Sequence, residues 1–170
     1  ATSRERYLEQ VGGLLGHIRR GDIYEVNYCT RREALLEDFD PYAAFAKLLA
    51  HSDAPFSAFL RNGERYALCA SPERFLRLEG DRIVSQPMKG TRRRGRSLAE
   101  DDALSAELAN DPKERSENIM ALDVARNDLS RIAASGSVKV EELCAVKSYP
   151  NVHQLVSTVA ARIRPGLSPV

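Results

Sequence analysis

The chain has 170 residues, which suits one medium domain or one piece of a larger one, and its hydrophobic content of 43% supports a core and excludes wholesale disorder. With 25 basic and 24 acidic residues the net charge is +1. That excludes a global electrostatic case for nucleic acid or an anionic membrane, so any anion site must be local.

Taken in chain order, Tyr7, Val11, Leu14, Leu15 and Ile18 follow helical spacing, and Gly21-Asp22 ends that helix. Ile23 to Leu35 reads as a long strand, because Ile23, Tyr24, Val26, Tyr28 and Cys29 favour extension. Asp40-Pro41 supplies an N-cap followed by proline at the first helical position, and the helix it opens runs to about Ala50. Phe56 to Arg61 and Arg65 to Ala70 form a predicted hairpin around Asn62-Gly63. Phe75 to Glu79 and Arg82 to Gln86 form a second around Gly80-Asp81. Lys89 falls in a turn, and Arg92 to Ser97 reads as a charged loop. Helices are predicted over Leu98 to Asn110 and Lys113 to Ala134, split at Asp111-Pro112. Ser137 to Lys147 and Val152 to Ile163 are the last strands. Strands, a helical pair, then strands again argue an α+β domain with largely antiparallel sheets flanked by helices. A two-stranded ending needs further partners to bury its apolar face, so the chain reads as a single domain over residues 1–170, incomplete at its C-terminus.

The three cysteines, Cys29, Cys69 and Cys144, match no metal spacing and no disulfide framework. They read as reduced core residues of a cytosolic protein. No signal peptide and no long apolar run is present, so no membrane partner is expected.

Several side chains could carry chemistry, and each has a plain structural alternative. Lys89 lies in Gln86-Pro87-Met88-Lys89-Gly90-Thr91-Arg92, beside several arginines whose fixed charge gives a lysine reason to lose its proton and act as a nucleophile. The alternative is a solvated surface lysine. Glu73, in Ser71-Pro72-Glu73-Arg74-Phe75, is either a site carboxylate or a turn residue paired to Arg74. Glu117 sits early in a helix, where pairing with the helix dipole is common. Asp128 follows on about the same stripe, and Asn127 and Asp128 read as structural helix-end residues. His153 stands inside a strand, where a histidine is more often a satisfied core group than a catalyst. Arg92, Arg93, Arg94 and Arg96 have no interleaved aromatics, so a solvated or substrate-facing loop is expected and not a nucleic-acid surface.

Together and in this order, these motifs resemble the chorismate-binding enzymes. The resemblance rests on Ser71-Pro72-Glu73-Arg74-Phe75, Pro87-Met88-Lys89-Gly90-Thr91-Arg92, Asp111 through Glu117, Asp123 through Leu129, and Val152-His153. Gly21-Asp22-Ile23-Tyr24-Glu25-Val26-Asn27 is similar to the family's opening strand, and the likeness covers about residues 15 to 163. It implies the anthranilate synthase component I-like fold. It also implies chorismate as substrate, Mg²⁺ as cofactor with Glu117 as one ligand, and ammonia from a glutamine amidotransferase subunit. By the same resemblance Lys89 is the nucleophile and Glu73 the general acid/base, while Gly90, Thr91 and His153 bind the substrate. Lysine at position 89 is typical of the branch that forms aminodeoxychorismate for para-aminobenzoate and folate, where anthranilate synthases usually carry alanine. Met88 stands where the family has isoleucine, and Arg93 where it commonly has proline.

Pro55, Phe56, Ser57, Ala58 and Phe59 match a segment that in relatives contributes to a tryptophan pocket; the plain alternative is a core strand. The family domain continues beyond Val170 with a Gly-rich segment, a carboxylate-binding Tyr and Arg, and a further Mg²⁺ glutamate, so half a site is expected here. The competing expectations are an anthranilate- or isochorismate-forming enzyme and a non-catalytic piece that docks the glutaminase.

Overall fold

Local capping chemistry sets the helices. The computed structural model describes residues 2–167, and its chain divides into two units, Ala1–Phe39 and Asp40–Val170. In the first unit, α1 (Arg4–Arg20) starts where Ser3 Oγ accepts from Arg6 N at 3.2 Å. It stops at Gly21, whose φ of +79° suits a residue without Cβ. The predicted strand over 23–35 does not form. A strand is held by a ladder to a partner strand, and among the described residues none pairs with this segment. The segment instead meets α1 through side chains, with Tyr28 bonded to Gln10 and set edge-on against Tyr7.

The second unit opens with α2 (Pro41–His51), where Asp40 Oδ1 accepts from Tyr42 N at 2.8 Å and Ala43 N at 3.2 Å. β1 (Phe56–Asn62) and β2 (Arg65–Ser71) form the expected hairpin, with Gly63 at φ +62° in its turn. Phe59 stacks on Tyr42 at 4.8 Å and also meets Phe45 and Tyr66, which fastens the hairpin to α2.

The main sheet contains β3 (Arg77–Glu79), β4 (Arg82–Ser85), β5 (Met88–Arg93), β6 (Lys139–Ser148) and β7 (Val152–Arg162), all antiparallel to their partners. β7 is its axis. β4 pairs with residues 159–162 of one edge and β5 with 152–156 of the same edge, while β6 covers the other. The architecture is therefore α+β with antiparallel sheets. α3 (Leu98–Asn110) and α4 (Pro112–Ser130) pack on one face of this sheet. Ser97 caps α3. Asp111 Oδ1 caps α4 by accepting from Lys113 N at 2.9 Å and Glu114 N at 3.1 Å. α4 ends at Ser130, short of the expected Ala134, because the chain turns there to bridge Ala133 to Ile163.

Between helices and sheet lie Ile83, Leu122, Leu129, Ala133, Val159 and Ala161, with a second cluster of Leu108, Cys144 and Leu155. Each fully buried Leu or Val contributes about 1.5–3 kcal/mol relative to exposure. Buried Asn118 joins the layers by donating to Leu155 O at 2.8 Å and accepting from Ser157 Oγ. Cys144 takes φ +51° at a bulge in β6, where its N–H donates to Ser157 Oγ at 2.9 Å. Cys144 is thus the buried thiol expected, whereas Cys29 and Cys69 are exposed and not core residues. Among the described residues, no helix is long and apolar enough to cross a membrane.

Candidate active site

The lysine motif is part of a strand. β5 runs from Met88 to Arg93, so Lys89 stands half-buried on an ordered ladder and not in a turn. The ladder is irregular there: Met88 pairs with Val156 and Thr91 with Gln154, with a bulge between them. Bulges re-aim side chains. Gly90 makes this one possible. Its φ is +90°, and a Cβ would lie 3.0 Å from Glu114 Cβ and 3.1 Å from a Glu114 carboxylate oxygen. Glycine therefore lets β5 close onto α4.

The arginines that follow do not form a free positive loop. Arg92 donates to Glu107 at 2.8 Å and Asp111 at 2.7 Å. Arg93 pairs with Glu100. Arg94 grips Asp101 through two bonds, at 2.8 and 2.6 Å, and also reaches Tyr149 O at 2.7 Å. Each guanidinium meets a carboxylate of α3 or of the cap of α4, so the uncompensated field anticipated around Lys89 is largely cancelled. Their work is to clamp β5 to α3 and α4. Asp101 is held well below the ordinary carboxylate range. Its bonds from Arg94 contribute most, followed by the Gly95 N–H, while burial opposes them.

Glu73 follows β2 in a serine turn: Glu73 N donates to Ser71 Oγ at 3.1 Å, and that hydroxyl bonds Glu73 O at 3.3 Å. Glu73 is exposed and lines a hollow of about 390 Å³ with Ser71, Arg74, Phe75, Ser85 and Pro87. The hollow thus reaches Pro87, two residues before Lys89. Arg74 does not pair with Glu73. Its Nε donates to Gln86 Oε1 at 2.8 Å and its guanidinium lies 4.6 Å over the Phe56 ring. Of the segment Pro55 to Phe59, Phe59 belongs to the aromatic cluster under α2, and Ser57 Oγ donates to Ala54 O at 2.8 Å.

Glu117 sits on α4, 41% exposed, bonded to Lys113 Nζ at 3.0 Å. Glu114 lies one turn earlier on the same face, against Gly90; sequence reasoning did not single it out, and only the close approach at Gly90 reveals it. Mg²⁺ is commonly held by one or two carboxylates together with substrate oxygens and retained waters. Glu117, a partly exposed hard-oxygen donor, fits one such ligand. Among the described residues, no three metal-binding side chains converge.

His153 is 1% exposed and faces α3. Nδ1 bonds Ser148 Oγ at 2.8 Å and Nε2 bonds Asp101 Oδ1 at 2.9 Å, so both ring nitrogens are satisfied within the fold. Its neighbour Gln154 points the other way, and Thr91 Oγ1 donates to Gln154 Oε1 at 2.9 Å. Strand alternation was the signal that could have separated the two. Asn127 and Asp128 are exposed near the end of α4, where Asn127 O accepts from Ser130 Oγ at 2.6 Å.

A family model described as chorismate binding enzyme matches residues 1–170. Aminodeoxychorismate synthase component 1 of Klebsiella aerogenes is 44% identical over 161 residues, covering 95% of this chain and 36% of that protein. Anthranilate synthase component 1 of Thermus thermophilus is 42% identical over 168 residues, covering 99% of this chain and 36% of that protein. Among solved structures, anthranilate synthase component I from Streptococcus pneumoniae superposes with a TM-score of 0.66 at 28% identity, covering 76% of this chain and 28% of that one. The chain spans about a third of the length of these two curated relatives. The two differ by only two points of identity, 44% against 42%, so overall similarity does not choose between their activities.

Proposed function

The chain belongs to the chorismate-binding enzyme family, and within it we propose the aminodeoxychorismate-forming reaction, in which ammonia replaces the C4 hydroxyl of chorismate. The observation that carries this reading is Lys89, an amine on a bulged strand whose glycine neighbour presses against α4.

Hydroxide leaves poorly, so the departing oxygen needs a proton and the substrate's carboxylates need compensation. Lys89 Nζ forms a bond to C2 while the ring double bond shifts and the C4–O bond breaks. Glu73 supplies the proton with which the hydroxyl leaves as water. Ammonia then forms the C4–N bond, the double bond shifts back and the C2–Nζ bond breaks. Glu73 takes up the proton released from the new amine. Two displacements replace one difficult step. Mg²⁺, held by Glu117, would neutralise the ring carboxylate. Ammonia would come from a glutaminase subunit or from ammonium salts, and the rest of the protein would supply the remaining carboxylate contacts.

The test is product analysis after incubation with chorismate, Mg²⁺ and excess ammonium salt. The reading expects 4-amino-4-deoxychorismate; anthranilate or isochorismate as the product would replace it with another branch of the family.

A further inference from the structure

β7 offers a second polar side chain on the face away from α3 and α4. His153 is spent on Ser148 and Asp101. Gln154 projects from the opposite face, and the register sets Thr91 of β5 on one side of it and Lys147 of β6 on the other. Hydroxyl, amide and ammonium thus form one row across three strands. Each outer member is fixed: Thr91 donates to Gln154 Oε1 at 2.9 Å, and Lys147 Nζ donates to Glu142 Oε1 at 2.7 Å. Thr91 is exposed and Gln154 half-buried, so the row can be reached from solvent. An amide whose oxygen accepts from a hydroxyl keeps two N–H donors aimed away from it. The Thr91 proton is already committed, so the donors this row can give a ligand are those of Gln154 and Lys147.

We propose that Gln154 is a substrate-positioning residue whose amide donates to a hydroxyl or carboxylate oxygen of the substrate bound beside Thr91. The proposal rests on the chorismate reading and sharpens it, because the substrate contact expected of His153 passes to Gln154. An amide does not titrate, whereas an imidazole changes charge near neutrality. The contact is therefore constant across the pH range in which a histidine would switch.

Calorimetric titration of the full-length protein that carries this chain with chorismate in Mg²⁺ buffer, repeated between about pH 5.5 and 8, tests this. Gln154→Leu is expected to weaken binding about tenfold, the worth of one hydrogen bond to a charged or hydroxyl partner, with the thermal midpoint unchanged. Gln154→His is expected to bind while acquiring a new pH dependence with a midpoint of about 6.5. Wild-type binding by Gln154→Leu overturns the proposal and leaves the chorismate reading standing. A fall in thermal midpoint that accounts for the loss makes Gln154 a packing residue and also overturns it. If the unaltered full-length protein binds no chorismate, the substrate reading fails first and the positioning role falls with it.

Discussion

His153 Nε2 and Asp101 Oδ1 meet at 2.9 Å across 52 residues of sequence, and this bond ties the axial strand β7 to the first turn of α3. Asp101 also holds Arg94 and the Gly95 N–H, so one carboxylate joins β7, α3 and the end of β5. Replacing His153 with phenylalanine leaves Ser148 and Asp101 each short of a partner and should cost about 1–3 kcal/mol in urea denaturation.

The same carboxylate makes stability depend on acid. Its pKa is depressed in the folded state, so its contribution is fully present above the unfolded value of about 3.9 and is lost as pH falls through the lower folded value. The stability difference between the chain and Asp101→Asn should therefore be constant near neutrality and shrink below about pH 4. A difference that stays the same down to strong acid would detach Asp101 from this role.

Gly90→Ala should be costly out of proportion to one methyl group. The new Cβ would enter a backbone at φ +90° and press on Glu114. A loss of about 1–3 kcal/mol is expected, along with a displaced lysine-bearing bulge. Denaturant midpoints measure the first, and nuclear magnetic resonance shifts confined to β5 and the start of α4 measure the second.

Glu73→Gln keeps the turn, because Ser71 bonds only the Glu73 backbone. Turnover of chorismate should fall by about 10²–10⁴ with KM little changed, the signature of a lost proton-transfer group. Unchanged kcat would leave Glu73 as a turn residue.

Glu117→Gln removes the charge of the proposed Mg²⁺ ligand and one exposed i,i+4 pair with Lys113. Exposed pairs of this kind contribute about 0.3–0.5 kcal/mol, so folding should barely change. The Mg²⁺ concentration needed for half-maximal turnover should rise. An unmoved Mg²⁺ titration would remove Glu117 as a ligand.

Much of the fold is legible in the residues because it is set locally. Asp40-Pro41 and Asp111-Pro112 announce helix starts through caps that the structure contains, and Asn62-Gly63 and Gly80-Asp81 mark hairpin turns. What sequence cannot supply is partnership. Ile23 to Leu35 has strand propensity but, among the described residues, pairs with no strand. Pro87-Met88-Lys89-Gly90-Thr91 has turn composition, yet β7 recruits Met88 to Arg93 as a bulged strand. The arginines read as a positive loop because the carboxylates that neutralise them lie 7 to 19 residues further on. Strand alternation sends His153 and Gln154 to opposite faces, but only the side on which the helices pack shows which is the satisfied core imidazole and which the reachable amide.

The most direct test of the central claim is to look for carbon on Lys89. The chain is incubated with chorismate and Mg²⁺ without ammonia, quenched, digested and mapped by mass spectrometry. An adduct of chorismate less one water on the peptide carrying Lys89, absent from Lys89→Ala, is the predicted result. Amination of chorismate by Lys89→Ala at the unaltered rate, with no adduct on the original chain, would contradict it.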